Sequence, residues 1–394
     1  MTERLYYIQP MLASCEAKVL SCEESKGAYA VILDRTVIFP EGGGQPADHG
    51  FIGGAAVADA HEKDGEVIHI CDKPLPVGAS VSVELDVPRR LDHTEQHTGE
   101  HILSGLAHKL FGARNVGFHM AEDYCTIDLD VYLDEAGLAL LESEANAAVR
   151  RDLPVTEEHM DHEKLGRISI RKKSEIVSDD IRVVYIGGGE VDSCTCCGTH
   201  CASSGEVGYI RICDSQKYKG GVRLWFSCGG RAVREANELT NELTELARSH
   251  STSRAELPAA VRKQSDELSA AKRELKARTR ALCEMLAAGC GSVCIKSIEG
   301  FGADDVKMLT ECLVSSGARI ALVFGRREGR TNYRALRKDG ETAPMNELIK
   351  AVNGLINGKG GGSPAFAQGS SEQPVTEEML KTLEDFTEKW ARRG

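Results

Sequence analysis

The sequence predicts an α+β protein of two or three domains. Three patterns within its 394 residues support this prediction: short apolar runs bounded by Gly and Pro near the N-terminus, mixed helix and strand patterns after them, and a later stretch with few Gly or Pro. A domain holds about 150 residues, so each domain is large enough to bury a core of its own. The patterns divide the chain into four segments, at residues 1–88, 89–228, 229–290 and 291–394.

The first two segments contain most of the strand patterns. Residues 1–88 carry the runs YAVILD, TVIFP, GEVIHI and ASVSVELDV, which are rich in Val and Ile and are separated by turn residues. This pattern predicts a small antiparallel sheet or β-barrel. Residues 89–228 predict an α+β domain, with helices over 92–110 and 134–151 and strands at CTIDLDV, IRVVYI, VGYIRICD and VRLWFS.

The third segment, 229–290, predicts a linker of long helices. Leu268, Leu275 and Leu282 are spaced by seven residues, the apolar repeat of a coiled coil. An intramolecular hairpin and a coiled coil between two copies of the chain both fit this spacing. Pro258 is expected in the first turn of the second helix, where its missing N–H costs nothing.

The fourth segment, 291–394, predicts a compact α/β domain. Strands at SVCIKSI and IALVFG alternate with helices over 304–316 and 345–356. A Gly-rich loop from Asn357 to Pro364 interrupts this alternation before a polar Ser/Gln patch and a closing helix.

Composition narrows the class of protein. Hydrophobic residues make up 41% and charged residues 27% of the chain, which is ordinary for a globular protein. We expect no membrane partner, because no apolar run approaches the ~18 residues that cross a bilayer. The start MTERLYYIQP lacks a basic region followed by an apolar one, so we expect no signal peptide and a cytoplasmic location. The net charge of −12 argues weakly against nucleic-acid binding.

Four of the fourteen cysteines, together with one histidine, lie between Cys194 and Cys201. Such crowding leaves little room for disulfide geometry. It predicts a metal or redox site in a reducing compartment.

Two short sequences carry candidate metal ligands. In His97-Thr-Gly-Glu-His101 the imidazoles are four residues apart, so a helix places both on one face. A solvated, His-rich helix remains the alternative for this pair. Because Glu100 precedes the second His instead of following the first, the sequence lacks the usual metalloprotease signature.

The second sequence is Cys196-Cys-Gly-Thr-His200. Its glycine suits a tight loop that turns a thiolate and an imidazole inward, and these are zinc donors. A cluster of buried free thiols is the alternative. Taken together, His97, His101, Cys196 and His200 predict a Zn²⁺ site with one Cys and three His ligands.

Three motifs resemble a known family. GGGQPAD (42–48), HTGEH (97–101) and CCGTHCASSGEVG (196–208) resemble the editing domain of alanyl-tRNA synthetases, its free-standing relatives and the related domain of threonyl-tRNA synthetases. Cys197, Cys201 and Ser204 depart from the family pattern without replacing a proposed ligand, although Cys197 adds a competing thiol. GKGGGSPAFAQGS (358–370) resembles the C-terminal domain of alanyl-tRNA synthetases, which predicts the long form of the free-standing editing protein.

The resemblance implies an activity and a partner. It implies a zinc-dependent hydrolase that cleaves the ester of mischarged seryl-tRNA(Ala), and of glycyl-tRNA(Ala), without charging tRNA itself. A tRNA-binding protein with a structural zinc and a zinc hydrolase of small esters are the alternatives. The Asp-His-His and Asp-rich motifs of the related phosphoesterases are absent from the sequence.

The resemblance also implies residues near the substrate. Thr36 and Gln45 are the catalytic residues that we predict, because they match positions close to the amino acid, where a polar group would favour serine over alanine. An ordinary strand Thr and a bulged turn of 42–44 are the alternatives. The further substrate-binding residues that we predict are Gly43, Gly44, Lys359, Gly360, Gly361 and Gly362. Asp128 and Asp192 are candidate partners for the ligating imidazoles, or surface carboxylates.

Charge is distributed unevenly along the chain. The four segments carry net charges of −8, −7, +2 and +1, and seven basic residues against one acid lie between Arg319 and Lys338. A solvated face is the simple interpretation of this basic strip, but it also suits RNA docking beside the Gly-rich loop. We therefore predict an acidic catalytic half, and a C-terminal half that binds tRNA(Ala) and forms a homodimer.

Overall fold

A computed structural model describes residues 1–25, 27–173 and 180–391, so the last three residues of the fourth predicted segment lie outside the described part. The chain separates into two units, Met1–Glu245 and Leu246–Gly394. The mixed α+β class is confirmed, whereas the division into four segments stays a prediction. Within the described ranges no helix is long and apolar enough to cross a membrane.

The first unit begins with strands that pair in a ring. The order β2-β3-β7-β6-β5-β8 closes because β8 pairs with β2. Alternate side chains of these strands, Val31 and Leu33 among them, fill the interior. The elements are β1 (Glu3–Arg4), α1 (Leu5–Ile8), β2 (Ser14–Ser25), β3 (Ala28–Leu33), β4 (Arg35–Thr36), β5 (Gly50–Ile52), β6 (Ala55–Lys63), β7 (Glu66–Cys71) and β8 (Ser80–Leu85).

The rest of the first unit surrounds one long helix. The elements are α2 (Val87–Phe111), β9 (Asn115–Met120), β10 (Cys125–Leu129), α3 (Glu135–Arg150), β11 (Val155–Met160), α4 (His162–Arg167), β12 (Ile181–Ile186), β13 (Asp192–Thr195), β14 (Ile210–Tyr218), β15 (Gly221–Cys228) and α5 (Gly229–Ser249), the last of which contains the boundary between the units. One sheet has the order β14-β15-β10-β9 and another the order β11-β12-β13.

Local signals set the ends of α2. The Asp86 side chain accepts a hydrogen bond from the Arg89 amide, Pro88 occupies the first turn, and Gly112 ends the helix with a left-handed backbone. These are the usual start and stop signals of a helix. Almost the whole segment from His93 to Ala107 is buried, so α2 is a core element that can hold polar side chains away from water.

The second unit is one sheet with helices on both faces. Its elements are α6 (Leu257–Ala287), β16 (Val293–Glu299), α7 (Ala303–Ser315), β17 (Ile320–Arg327), β18 (Arg330–Arg337), α8 (Met345–Ile356), β19 (Lys359–Gly362), β20 (Phe366–Ser371) and α9 (Glu377–Ala391). The sheet order is β16-β17-β18-β20-β19. Side chains of β17 alternate between a core against α7 and a core against α8.

The Gly-rich segment is not the loop that we predicted. Lys359–Gly362 form β19, an exposed edge strand paired with β20. A Cβ atom at Gly360 would lie 2.2 Å from the Gln368 carbonyl oxygen. Glycine therefore permits close pairing with β20, and the composition that resembles a loop serves an edge strand here.

Candidate metal centre and active site

Helix α2 places two imidazoles on one buried face. The rings of His97 and His101 have centroids 5.4 Å apart. His93 occupies the same stripe, but among the described residues it lies outside the groups of donors that could hold a metal ion. Burial lowers the pKa of His93 to about 4, so His93 is a neutral core histidine.

The loop after β13 supplies two further donors. Cys196 Sγ lies 3.4 Å from His97 Nε2 and 3.3 Å from His200 Nε2. Ligand atoms of His97, His101, Cys196 and His200 all lie within 4.8 Å of one another. The fold thus brings the four predicted ligands together from one helix and one loop.

The spacing of these donors suits a tetrahedral zinc ion. Zinc binds sulfur at about 2.3 Å and nitrogen at about 2.0 Å, which puts the two donors about 3.5 Å apart. The two sulfur–nitrogen distances at Cys196 are close to that value. Thiolate and imidazole are donors that bind zinc, whereas calcium and magnesium bind oxygen donors.

Each of the three imidazoles has a polar neighbour at its Nδ1 nitrogen, and this contact orients the ring. His97 Nδ1 donates to Gln45 Oε1 at 2.8 Å, and His101 Nδ1 donates to Asp192 Oδ2 at 2.9 Å. His200 Nδ1 lies 3.4 Å from the Thr98 hydroxyl oxygen. Such contacts fix the tautomer and leave Nε2 of each ring for a metal.

Gln45 also holds the ligand loop. Its Oε1 accepts from the Thr199 amide at 3.1 Å, and its amide group donates to the Thr199 hydroxyl at 2.9 Å. Gln45 is completely buried. One side chain therefore fixes both His97 on α2 and the loop between Cys196 and His200.

Asp192 belongs to a charged pair behind the donors. Arg171 Nε donates to Asp192 Oδ1 at 2.6 Å, and a second guanidinium nitrogen donates to Oδ2 at 2.9 Å. Burial opposes ionisation of Asp192, but hydrogen bonds from Arg171 and His101 outweigh it and hold the pKa of Asp192 well below its usual range. The carboxylate therefore stays charged and anchors His101. Cys194 Sγ lies 3.5 Å from His101 Nδ1 and 3.8 Å from His101 Nε2.

The donors influence each other's protonation. Burial opposes ionisation of Cys196, but the neighbouring imidazoles of His97, His200 and His101 outweigh it and lower the pKa of Cys196 well below its usual value. Burial lowers the pKa of His200 to about 3. Burial also opposes protonation of His101, yet the charges of Cys194 and Cys196 and the Asp192 hydrogen bond raise its pKa. A metal that binds at His101 would thus displace a proton.

The ligand loop packs against His97 without room for a side chain. A Cβ atom at Gly198 would lie 2.1 Å from His97 Cε1. Gly43 and Gly44 belong to the turn closed by the Gly42–Gln45 bridge, with φ of +64° and +85°. Gly43 faces this site, since its Cβ would lie 3.0 Å from Cys197 Sγ and 3.9 Å from His97 Cε1.

A cavity of about 200 Å³ opens beside the donors. Three of the four proposed ligands line it, together with other residues of both polar and apolar character: His97, His101, Cys196, Gly43, Glu100, Asn115, Phe118 and Lys172. Glu100 Oε2 lies 3.7 Å from His101 Nε2, while its Oε1 accepts hydrogen bonds from Ser104 and Asn115. The cavity therefore places a fixed carboxylate next to the potential metal position.

Thr36 lies inside the N-terminal sheet and is completely buried. Its hydroxyl oxygen lies 2.9 Å from His69 Nε2 and accepts from the Ile38 amide at 3.1 Å. His69 Nδ1 donates to the Val31 carbonyl, so the Thr36 hydroxyl donates to Nε2. Among the described residues that line the cavity beside the donors, Thr36 does not appear.

The other predicted residues belong to strands β19 and β10. Lys359 and Gly360–Gly362 belong to the second unit, on exposed β19. Asp128 pairs with Arg223, with Nε to Oδ1 at 2.6 Å, so the suggestion that Asp128 orients an imidazole is wrong. The reason is register: Asp128 and Arg223 are directly opposite on β10 and β15.

From the sequence, we assigned no specific contact to several residues that lie at the site. The position of Glu100 excluded the metalloprotease signature, but it was given no role of its own, although Glu100 directly precedes the second imidazole in HTGEH. Arg171 and Asn115 lie outside every motif. Cys194 was part of the cysteine cluster, but its contact with His101 requires the fold.

Comparisons with known proteins identify the family. Residues 181–224, which include Cys196 and His200, match the family described as the threonyl and alanyl tRNA synthetase second additional domain. The alanyl-tRNA editing protein AlaX-L of Pyrococcus horikoshii is 31% identical to this chain over 98% of both sequences. The chain belongs to the alanyl-tRNA editing protein family. The family that the sequence motifs predicted is therefore confirmed.

Other relatives of this editing protein match in part. The alanyl-tRNA editing protein Aarsd1 of Danio rerio is 32% identical over 56% of this chain and 54% of its own length. An alanine–tRNA ligase of Methanopyrus kandleri is 31% identical over 98% of this chain, which covers 45% of the ligase.

Proposed function

We propose that this editing protein is a zinc-dependent deacylase that hydrolyses the ester of mischarged seryl-tRNA(Ala) and glycyl-tRNA(Ala) in the cytoplasm. Family membership supports alanyl-tRNA editing and therefore hydrolysis. One observation carries the zinc proposal: four donor atoms from His97, His101, Cys196 and His200 lie within 4.8 Å of one another beside a cavity.

Zinc held by these residues would supply a Lewis acid that polarises the ester carbonyl and lowers the pKa of bound water. The protein fixes the donors through Gln45, Asp192 and Thr98, so the site is organised before substrate arrives. Glu100 is placed to accept or hold a proton at its carboxylate. Phe118, whose ring centroid is 5.3 Å from that of His97, limits water on one side.

Selection of serine over alanine needs a polar group that alanine would leave unpaired. We propose Thr36 and Gln45 for this role, with the turn at Gly43 and Gly44 against the amino acid. Gln45 and Gly43 adjoin His97. Since the Thr36 hydroxyl is bonded to His69, its influence passes through the strand that leads to the turn. Thr36→Val should therefore lower the rate of seryl-tRNA(Ala) deacylation more strongly than it lowers the zinc content of the protein.

The second unit is proposed to bind tRNA(Ala). Exposed Lys359 and the bare backbone of Gly360–Gly362 suit phosphate contacts. In the basic strip, Arg319, Arg327 and Arg334 form ion pairs with acidic neighbours. The local charge that the strip offers to RNA is therefore smaller than the sequence indicates.

We also propose that two copies pair through this half of the chain. Leu268, Leu275 and Leu282 on α6 are 56%, 66% and 44% exposed, and such a row of leucines favours helix pairing. Light scattering of the wild type and of Leu275→Lys measures this directly. A monomeric wild type would remove the proposal.

Deacylation of seryl-, glycyl- and alanyl-tRNA(Ala) by the wild type and by His97→Ala tests the activity. The proposal requires zinc-dependent release from the seryl and glycyl substrates, little from the alanyl substrate, and a large loss in the variant. It also requires no alanine-dependent ATP–pyrophosphate exchange, because we propose that the chain does not charge tRNA.

A structural zinc is the second candidate. Four protein donors complete a tetrahedron, whereas catalytic zinc keeps a position open. Under this alternative, tRNA binding survives, zinc is retained, and no substrate is released. Release of a small ester such as serine methyl ester, without tRNA, would instead support a general zinc hydrolase.

A further inference from the structure

Three consecutive backbone carbonyls of the ligand loop accept hydrogen bonds from two side chains, one 190 residues away in sequence and the other 14 to 16 residues away. The carbonyls belong to Cys196, Cys197 and Gly198, and the donors are Tyr7 and Arg182. The loop segment between the two metal donors Cys196 and His200 is thus held from outside.

Tyr7 lies on the short helix α1 at the start of the chain. Its hydroxyl donates to the Cys197 carbonyl at 2.8 Å across a sequence separation of 190 residues. The side chain is half-buried. The N-terminal helix therefore reaches the ligand loop directly.

Arg182 lies on β12 and is almost fully buried. One guanidinium nitrogen donates to the Cys196 carbonyl at 3.1 Å and to the Gly198 carbonyl at 2.8 Å. The guanidinium carbon lies 4.7 Å from the centre of the Tyr7 ring, and Glu157 forms an ion pair with the same group. Tyr7 and Arg182 thus support each other as well as the loop.

The amides of Gly198 and Thr199 are directed inward, whereas the Cys196 amide donates to the Arg182 carbonyl at 3.2 Å. The Gly198 amide donates to Cys196 Sγ at 3.3 Å, and the Thr199 amide donates to Gln45. Gly198 is required for close approach to His97, and glycine gives the backbone little stiffness of its own. Two amides bonded on the inside and three carbonyls bonded on the outside therefore hold both edges of the loop.

We propose that Tyr7 and Arg182 are positioning residues that hold Cys196 and His200 in the metal-binding geometry. The proposal rests on the zinc site of the proposed function. Buried outer contacts of this kind pre-organise a metal site, because the loop does not have to be ordered when the ion binds. Neither residue touches the metal position, so both act through the loop backbone.

A purely structural role would have a different consequence. In that case the variants would lower the stability of the whole unit but leave the properties of bound metal unchanged. The neighbouring Tyr6 offers a matched control, since its buried hydroxyl has no hydrogen-bond partner within the described residues. Arg223 matches Arg182: it pairs with Asp128 and lies 4.1 Å from the Tyr218 ring centre, away from the loop.

The test uses the full-length protein loaded with Zn²⁺ or Co²⁺. Transfer of zinc to a chromogenic chelator gives the dissociation rate, and the visible spectrum of the cobalt form reports the geometry of the thiolate site. We expect Tyr7→Phe to release zinc about 3- to 10-fold faster, the effect of one lost hydrogen bond, and to alter the cobalt spectrum. Tyr6→Phe should behave as the wild type.

Arg182→Lys keeps the charge but loses the planar group that reaches two carbonyls. We expect it to release zinc faster than Tyr7→Phe does, whereas Arg223→Lys should not. Wild-type dissociation rates and spectra in both Tyr7→Phe and Arg182→Lys would overturn the proposal, as would equal changes in the two controls. A wild type that binds no zinc would instead refute the proposed function, and the positioning role with it. If Arg182→Lys does not fold, Tyr7→Phe alone decides.

Discussion

Two buried histidines, His69 and His97, are each hydrogen-bonded to a residue that we predicted near the substrate. His69 donates to the Val31 carbonyl and accepts from Thr36, so both of its nitrogens are used inside the N-terminal sheet. His97 donates to Gln45 and directs Nε2 at Cys196. One contact completes a core, while the other leaves a nitrogen available for a metal. Gln45 therefore contacts a proposed metal ligand directly, whereas Thr36 contacts a core histidine of the N-terminal sheet.

Removing the thiolate should have the largest effect. We expect Cys196→Ala to lose zinc and to slow seryl-tRNA(Ala) deacylation by more than about 100-fold, beyond the loss typical of an outer contact. Cys197→Ala is the matched control, because its thiol lies outside the described donor groups. Equal zinc content in the two variants, measured by mass spectrometry, would mean that Cys196 is not a ligand.

Gln45→Met should have the next largest effect. It keeps the volume of the side chain but removes the acceptor for His97 Nδ1 and for the Thr199 amide. Loss of such an outer contact weakens metal binding by about 10- to 100-fold. Competition with a chelator of known affinity measures this change, and an unaltered zinc affinity would show that Gln45 does not orient His97.

Thr36→Val tests the contact with His69, the histidine that lies inside the N-terminal sheet. It leaves His69 Nε2 and the Ile38 amide without their buried partner, which costs about 1–3 kcal/mol in the free energy of unfolding. Zinc affinity should match the wild type. Urea unfolding measures the first quantity and chelator competition the second; a stable variant with weakened zinc binding would reverse the roles of Thr36 and Gln45.

The smallest expected effect concerns pH. Burial lowers the pKa of His69 from 6.5 to about 4, so the folded state disfavours its protonation. The stability that this provides is complete above about pH 6.5 and is lost as the pH falls towards 4, by about 2 kcal/mol at pH 5. Urea unfolding at pH 7 and pH 5 measures the loss. His69→Gln should reduce this difference, and an unchanged difference would contradict the assignment.

Local patterns predicted much of the fold. Helix α8 occupies 345–356 as predicted, and α2 extends the predicted 92–110 by a few residues at its start, where Asp86 and Pro88 mark the helix. Each ligand pair had a simple alternative, but together the two pairs supply one thiolate and three imidazoles, which is a zinc donor set. A short-range pattern of distinctive side chains is therefore informative about both the fold and the site.

Contacts between distant segments could not be predicted in this way. The Thr36–His69 bond, the Arg171–Asp192 pair and the Asp128–Arg223 pair join residues on different strands or loops. Strand register decides the last of them, and tertiary packing decides the other two. The prediction of a loop in the Gly-rich segment was wrong for another reason. Glycine indicates freedom of the backbone, and an edge strand in close pairing uses that freedom as readily as a loop does.

We propose that the Gln45-oriented His97 and its three neighbouring donors hold the zinc on which editing depends. The decisive measurement is zinc content together with single-turnover deacylation of seryl-tRNA(Ala), made on the same sample before zinc removal, after it and after zinc is restored. We expect one zinc per chain, loss of ester cleavage when the metal is removed, and recovery when it is returned. Full cleavage by the zinc-free protein would contradict the proposal.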